Sequence, residues 1–399
     1  MKVLKEHTLS LCDLCYSEVP ARIFEKNGHV FIQKQCLQHG TFEAIVEEDS
    51  DFYRRFAHLT PTGFASFDTL IIPITFRCNL RCSYCFAPHV QQKDIPLPEL
   101  AGVIRNFAGP SIFLSGGEPT LREDLSSILL EIKGANKCAG IVTNGVRLAD
   151  ERYLHTLRNA GLDYVFFSFD SFIEDFYRAV KMGSRGTGNL LRLKKRALAN
   201  LEIERVPTVL SATIYPGLND HELKELLVFA MRKRGYIVQL RFRSCVQVGR
   251  FGDSEGYFLS KLVSLLSEQL DIDRETLLTE YLSPQYHSTH HITLDFHGYP
   301  SGGDLVPYIR RRSGKSIFDK LRFAAELVKK KGPAELLSAV KAKYLRHEPV
   351  IRTLSLRLIR WPTIDNVDLQ EVDRGVAYLC DNGRILNFCH ALILDTRHL

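Results

Sequence analysis

Short apolar runs of strand length alternate along residues 65–255 with longer stretches whose apolar residues recur at helical spacing. Leu70–Thr75, Ser111–Ser115, Gly140–Gly145, Tyr164–Asp170, Pro207–Tyr215 and Ile237–Arg243 read as six strands. Asp124–Lys133, Asp150–Ala160, Gly188–Glu204 and Asp220–Arg234 carry the pattern of helices with one apolar face. Such alternation predicts an α/β fold with a parallel sheet, a partial (β/α)6 TIM-like barrel whose strand C-termini converge on one face. Upstream, Arg22–Glu25 and His29–Ile32 flank Asn27-Gly28, a type I′ hairpin signal. Three regions follow: a small N-terminal domain over 1–60, the partial barrel over 65–255 and an α+β C-terminal region over 256–399.

Composition narrows the class. With 399 residues, 45% of them hydrophobic and 25% charged, the chain is neither disordered, collagen-like nor coiled-coil. Residues 1–37 mix polar and apolar positions, and no run of 18 apolar residues occurs, so neither a signal peptide nor a spanning helix is expected. The expected location is cytoplasmic. There, ten cysteines point to metal or redox chemistry rather than to disulfides.

Six of the ten lie in two tight groups. Cys12-Asp13-Leu14-Cys15 and Cys36-Leu37-Gln38-His39 form two knuckles joined by the hairpin, which brings four ligands together. Zinc, or iron in a rubredoxin-like site, satisfies such a set, and its closed coordination makes the site structural. The second group, Cys78, Cys82 and Cys85, places three thiols on the loop after the Leu70–Thr75 strand. Three ligands on a 4Fe–4S cube leave one iron open to bind another molecule. Further strand ends carry Gly116-Gly117-Glu118-Pro119, Thr143-Asn144-Gly145 and the polar pair Ser168 and Asp170. Two glycines allow close backbone approach to a ligand, and a carboxylate suits an ammonium group.

Taken together, these motifs resemble those of the radical S-adenosylmethionine (radical SAM) superfamily. The resemblance implies that Cys78, Cys82 and Cys85 hold the catalytic 4Fe–4S cluster. It also implies that Gly116, Gly117 and Glu118 meet the methionine amino group, with Asn144 alongside. Ser168 and Asp170 become candidates for the ribose hydroxyls, or alternatively for a helix cap, and Tyr84 packs near the adenine. The implied reaction is reductive cleavage of S-adenosylmethionine to a 5′-deoxyadenosyl radical that abstracts hydrogen from a substrate. The electron comes from a donor such as ferredoxin or flavodoxin.

Beyond these motifs, Cys245 closes the sixth strand, and Cys380 and Cys389 flank a turn at Asp381–Arg384. The three would hold an auxiliary iron–sulfur cluster, or else are buried thiols. Cys138, ahead of the third strand, is read as inert. His287, His290 and His291 offer a metal or proton-relay site, with solvated imidazoles on a loop and strand edge the favoured reading.

Charge is unevenly spread. Residues 310–360 hold fifteen Lys or Arg against four acidic residues, a net of +11 in a chain of net +6. Apolar positions such as Phe318, Leu321, Leu337 and Tyr344 suggest two basic amphipathic helices broken near Gly332-Pro333, with Leu354–Ile359 continuing the pattern. Basic amphipathic helices suit an anionic membrane surface or ligand, or simply a solvated face.

The N-terminal knuckle, the Val248-Gly249-Arg250 segment, the basic insertion and Leu386–Cys389 also resemble the tetraether lipid synthase family and its relatives. That resemblance implies a phospholipid-like apolar substrate with an anionic head, carbon–carbon bond formation or a related lipid modification, and peripheral membrane contact. Two other readings stand beside it: radical modification of a peptide or small metabolite, and a non-catalytic protein that binds nucleic acid.

Overall fold

The computed structural model describes residues 1–57, 67–85, 93–183, 189–246, 256–283, 287–298, 352–370, 376–380 and 385–387. Four antiparallel strands open the chain: β1 (Lys2–Leu11), β2 (Glu18–Lys26), β3 (His29–Cys36) and β4 (Gly40–Glu47). Asn27 and Gly28, both at positive φ, close the β2–β3 hairpin as the turn type requires. Helix α1 (Ser50–Phe56) follows, capped by the Asp49 carboxylate.

Beyond it runs a ten-stranded sheet: β5 (Thr69–Thr75), β7 (Ser111–Gly116), β8 (Cys138–Thr143), β9 (Tyr164–Ser168), β11 (Thr208–Ile214), β12 (Ile237–Ser244), β13 (His291–Gly298), β14 (Arg352–Ile359), β15 (Val376–Leu379) and β16 (Ile385–Asn387). Its order is β13-β14-β12-β11-β9-β8-β7-β5-β15-β16. The eight inner strands are mutually parallel, and each edge strand is antiparallel to its neighbour. Among the described residues the sheet is open rather than a closed barrel. Two short strands, β6 (Leu80–Cys82) and β10 (Lys181–Gly183), pair antiparallel apart from it.

Helices α2 (Leu97–Asn106), α3 (Leu125–Gly134), α4 (Glu151–Asn159), α5 (Glu174–Val180), α6 (Leu190–Ile203), α7 (Leu223–Arg232), α8 (Leu259–Leu270) and α9 (Arg274–Glu280) complete the description. Alternate strand residues explain the packing. Leu70, Ile72 and Ile74, Ile112 and Leu114, and Leu210, Ala212 and Ile214 are all fully buried, in one core with Ile128, Leu157 and Leu226 of the helices. Each such aliphatic side chain contributes about 1.5–3 kcal/mol. The strand C-termini then present the intervening loops on one side.

Leu354–Ile359 departs from expectation. It is strand β14, not a helical continuation. Leu354, Leu356 and Leu358 are buried with period two, and the strand pairs with β12. The apolar face that looked helical is the sheet face of a strand whose Arg357 meets His291 at 2.7 Å. Residues 310–351, Val248–Arg250 and Cys389 lie outside the described residues, so most of the basic segment does too. No described helix is long and apolar enough to cross a membrane.

The N-terminal sheet is bonded to the large one through residues 363–370, which run beside β1. Leu369 N donates to Leu9 O (2.9 Å), Ser10 Oγ to Val367 O (2.6 Å) and Asn366 Nδ2 to Ile45 O (3.3 Å). Lys5 pairs with Asp368 at 2.8 Å. Lys34, with no exposed surface, pairs with Asp13 between the first two knuckle cysteines and donates to Ile364 O. At the other end, Arg274 pairs with Asp49 (2.7 Å) and Arg55 with Glu275 (2.8 Å).

Candidate functional site

The knuckle residues converge. Sγ of Cys12, Cys15 and Cys36 and a ring nitrogen of His39 all lie within 4.8 Å of one another. His39 Nδ1 stands 3.5 Å from both Cys12 Sγ and Cys36 Sγ. A tight turn shapes the first knuckle: Cys12 N donates to Ser17 O, Tyr16 N donates to Cys12 O, and Tyr16 takes φ 60°. Gly40 supplies a positive φ immediately after His39. The Ser17 hydroxyl and main chain lower the Cys15 thiol to about 6, and the Gln38 amide lowers Cys36. Cys12 moves the other way, raised by burial. Donor type and convergence fit one tetrahedral zinc ion.

Cys78, Cys82 and Cys85 occupy the loop after β5 and do not converge as tightly, since no such group appears among the described residues. Thiolates that bind different irons of a cube stand further apart than four ligands of one ion. Three anchors hold the loop. Lys181 pairs with Cys82 in the β6–β10 ladder, and Ser83 N donates to Val180 O at 2.8 Å. Gly117 N donates to Thr75 O (2.7 Å) and Glu118 N to Arg77 O (2.8 Å). Asn144 Nδ2 donates to Asn79 Oδ1 at 2.8 Å, with Cys78 Sγ 4.0 Å away.

The two glycines serve this contact. A Cβ at Gly116 would meet Thr75 O at 2.0 Å, and one at Gly117 would meet Arg77 O at 2.3 Å. Close approach is needed, but between β7 and the cysteine loop. Glu118 ties neighbouring turns together. Its buried carboxylate faces inward: Oε1 accepts from Thr120 N (3.1 Å), Thr120 Oγ1 (2.6 Å) and Thr143 Oγ1 (2.7 Å), and Oε2 from Asn144 N (2.7 Å). It joins the two turns.

Ser168 and Asp170 are likewise engaged. Asp170, with no exposed surface, pairs with Lys181 (2.6 Å) and accepts from Ser168 Oγ (3.2 Å) and Thr213 N (2.9 Å). Lys181 Nζ also donates to Ser168 Oγ at 2.7 Å. Neither residue caps a helix.

Around Asp170, Lys181, Lys194 and Arg243 all act on it and on Cys82. Burial opposes the Asp170 charge, but Lys181 and Lys194 hold its pKa below the ordinary carboxylate value. Burial pushes the Cys82 thiol up to about 12. Burial and the Lys181 charge push Lys194 well below the usual lysine value. Tyr84 lies here, its ring 5.5 Å from Lys181 Nζ and its buried hydroxyl without a hydrogen-bond partner among the described residues.

Sequence reasoning overlooked Lys181 and Lys194, because lysines inside otherwise ordinary elements carry no motif. A lysine at the centre of an apolar helix stripe was the available signal.

The other candidates lie elsewhere in the chain. Cys245 and Cys380 are buried just beyond the C-terminal ends of β12 and β15, and Cys389 lies outside the described residues. Cys138 starts β8 at the opposite end. The histidines are not solvated. His287 bonds Ser283 O and Thr293 N, and His291 bonds Ser288 Oγ and Arg357. His290 Nε2 is buried without a partner, and burial takes its pKa down to about 4. Histidines at the start of a strand near the sheet's core lose their solvent.

Comparison with known proteins agrees with this geometry. Residues 72–230 match the model of the radical SAM superfamily, and residues 4–48 match the HMPTM N-terminal zinc ribbon domain. A 7,8-dihydro-6-hydroxymethylpterin dimethyltransferase of Methanocaldococcus jannaschii is 27% identical over 305 residues, covering 67% of this chain and 59% of the relative. A GTP 3',8-cyclase of Stenotrophomonas maltophilia is 33% identical over 207 residues, covering 49% and 60%. The chain thus spans about three fifths of the length of these relatives. Streptococcus suis SuiB, solved with its precursor peptide SuiA, gives a TM-score of 0.43 at 17% identity over 52% of this chain and 46% of that one. On the family matches and the arrangement of Cys78, Cys82 and Cys85, the chain carries a radical SAM superfamily domain, which implies a 4Fe–4S cluster and S-adenosylmethionine as cofactors, behind an N-terminal zinc ribbon.

Proposed function

We propose that this chain is a radical SAM enzyme acting on a carbon–hydrogen bond of a small polar heterocycle, with a reduced pterin as the model substrate. The observation that carries the chemistry is the three-thiol loop set beside Lys181, Lys194 and Arg243. What supports the substrate class is the ribbon model's affiliation together with the relative named for a hydroxymethylpterin. When bound, the cluster and S-adenosylmethionine supply a hydrogen-abstracting radical, using one electron from a donor such as ferredoxin or flavodoxin.

The chain's own residues do the rest. Cys78, Cys82 and Cys85 would hold the cluster as thiolates. Lys181, Lys194 and Arg243 offset the thiolate charge. Glu118 and Asn144 fix the turns facing the loop.

A lipid substrate is the second reading. The +11 segment over 310–360 favours it, together with peripheral contact at an anionic membrane face. Against it, Arg357 and Arg360 serve the fold, the latter with its guanidinium 3.9 Å from the Phe258 ring centre. The test is anaerobic turnover with dithionite, comparing 5′-deoxyadenosine release with 7,8-dihydro-6-hydroxymethylpterin and with anionic phospholipid vesicles. Stimulation by the pterin alone supports the first reading. Stimulation by vesicles alone replaces it with the second.

A further inference from the structure

Lys194 sits where helix α6 calls for a leucine. Leu190, Ala197, Leu198 and Leu201 form the buried face of that helix, and Lys194, one turn from both Leu190 and Leu198, lies at its centre with no exposed surface. A buried ammonium is costly unless its protons find acceptors. Here Nζ reaches the ends of two strands, donating to the main-chain oxygens of Asn144 (2.9 Å) and Ser168. The rings of Phe167 and Tyr177 stand 5.4 and 5.5 Å from it.

Both acceptors face the cysteine loop. Asn144 donates onward to Asn79, between Cys78 and Cys82, and Ser168 Oγ accepts from Lys181, whose strand pairs with Cys82. One ammonium on an outer helix therefore ties both strand ends that grip the loop. Deleting it would free two carbonyls at once.

We propose that Lys194 is a positioning residue of the radical centre: by bonding the carbonyls of Asn144 and Ser168 it fixes, from behind, the two strand ends against which the Cys78–Cys85 loop and S-adenosylmethionine seat. The inference needs the radical SAM domain but not any particular substrate.

The test uses the full chain, reconstituted anaerobically, as wild type, Lys194→Met and Lys194→Gln. Methionine keeps the stem and removes donors and charge, whereas glutamine keeps donors without charge. Four quantities are read: zinc and iron per chain, thermal melting, S-adenosylmethionine affinity by equilibrium dialysis, and the electron paramagnetic resonance spectrum of the reduced cluster with and without S-adenosylmethionine. Partners that orient metal ligands typically alter affinity by about 10–100-fold. Lys194→Met is expected to keep its zinc, melt cooperatively, bind S-adenosylmethionine at least about tenfold more weakly and shift the spectrum. Lys194→Gln should recover part of that loss.

Wild-type affinity and spectrum in a folded Lys194→Met would overturn the proposal. So would parallel loss of zinc, iron and melting in both variants, which assigns Lys194 to the core alone. If only Lys194→Met fails to fold, Lys194→Gln decides: weakened affinity with a changed spectrum supports the proposal, and wild-type behaviour ends it.

Discussion

Replacing Glu118 with glutamine probes the inward-facing carboxylate directly. Glutamine matches its shape, so the cost comes from hydrogen bonding. Three of the four donors reach Oε1 and one, Asn144 N, reaches Oε2. The better amide orientation keeps a carbonyl at Oε1 and sets an NH2 against the Asn144 amide. One hydrogen bond to a charged group is lost, worth about 1.5–3 kcal/mol, and the three that remain become neutral and weaker. A total of about 2–4 kcal/mol follows, or a melting point lower by roughly 2–5 °C in a chain of this length. The assay is thermal melting by circular dichroism without S-adenosylmethionine. If Glu118→Gln melts within about 1 °C of wild type while S-adenosylmethionine affinity falls, the carboxylate serves the ammonium group and the inward reading is refuted.

Three further outcomes follow. Chelating zinc should raise hydrogen exchange across residues 363–370 as well as the knuckles, because Lys34 and β1 bond both, and unchanged exchange there would contradict the coupling. Asp170→Asn should leave Lys181 and Lys194 without their carboxylate and cost about 3–5 kcal/mol in chemical denaturation, the range for a broken buried ion pair. His290, with a pKa of about 4 when folded against about 6.5 unfolded, binds fewer protons in the native state, so stability falls as pH drops from about 6.5 towards 4. That loss approaches roughly 3 kcal/mol, and Glu, Asp and ligand titrations being common to both proteins, His290→Gln should flatten the profile by that amount between those pH values.

Much of this architecture is legible in the chain because strand cores and ligand spacings leave local signals. The six expected strands reappear within a residue or two, apart from polar turns at their ends, and Asn27-Gly28 marks its hairpin. Strands β1 and β4 were missed because their buried positions are interrupted by charged residues facing solvent. Leu354–Ile359 was read along with the helical segment before it, although leucines at every second position fall on opposite faces of a helix, and pairing with β12 makes the segment a strand. At the site, cysteines and glycines announce themselves through spacing. The partners of a side chain do not, so the hydrogen bonds that Glu118 and Asp170 make within the protein could not be read from the motif. Lys34, Lys181 and Lys194 look like solvated charges until the fold buries them.

The account stands most directly on the cofactor chemistry of Cys78, Cys82 and Cys85. Reconstituted anaerobically, the chain should hold one zinc and about four irons, or about eight if Cys245, Cys380 and Cys389 hold a second cluster. On reduction with S-adenosylmethionine it should release 5′-deoxyadenosine, and Cys82→Ala should abolish that release while retaining the zinc. Reconstitution with a full iron complement and no 5′-deoxyadenosine under any reductant would contradict it.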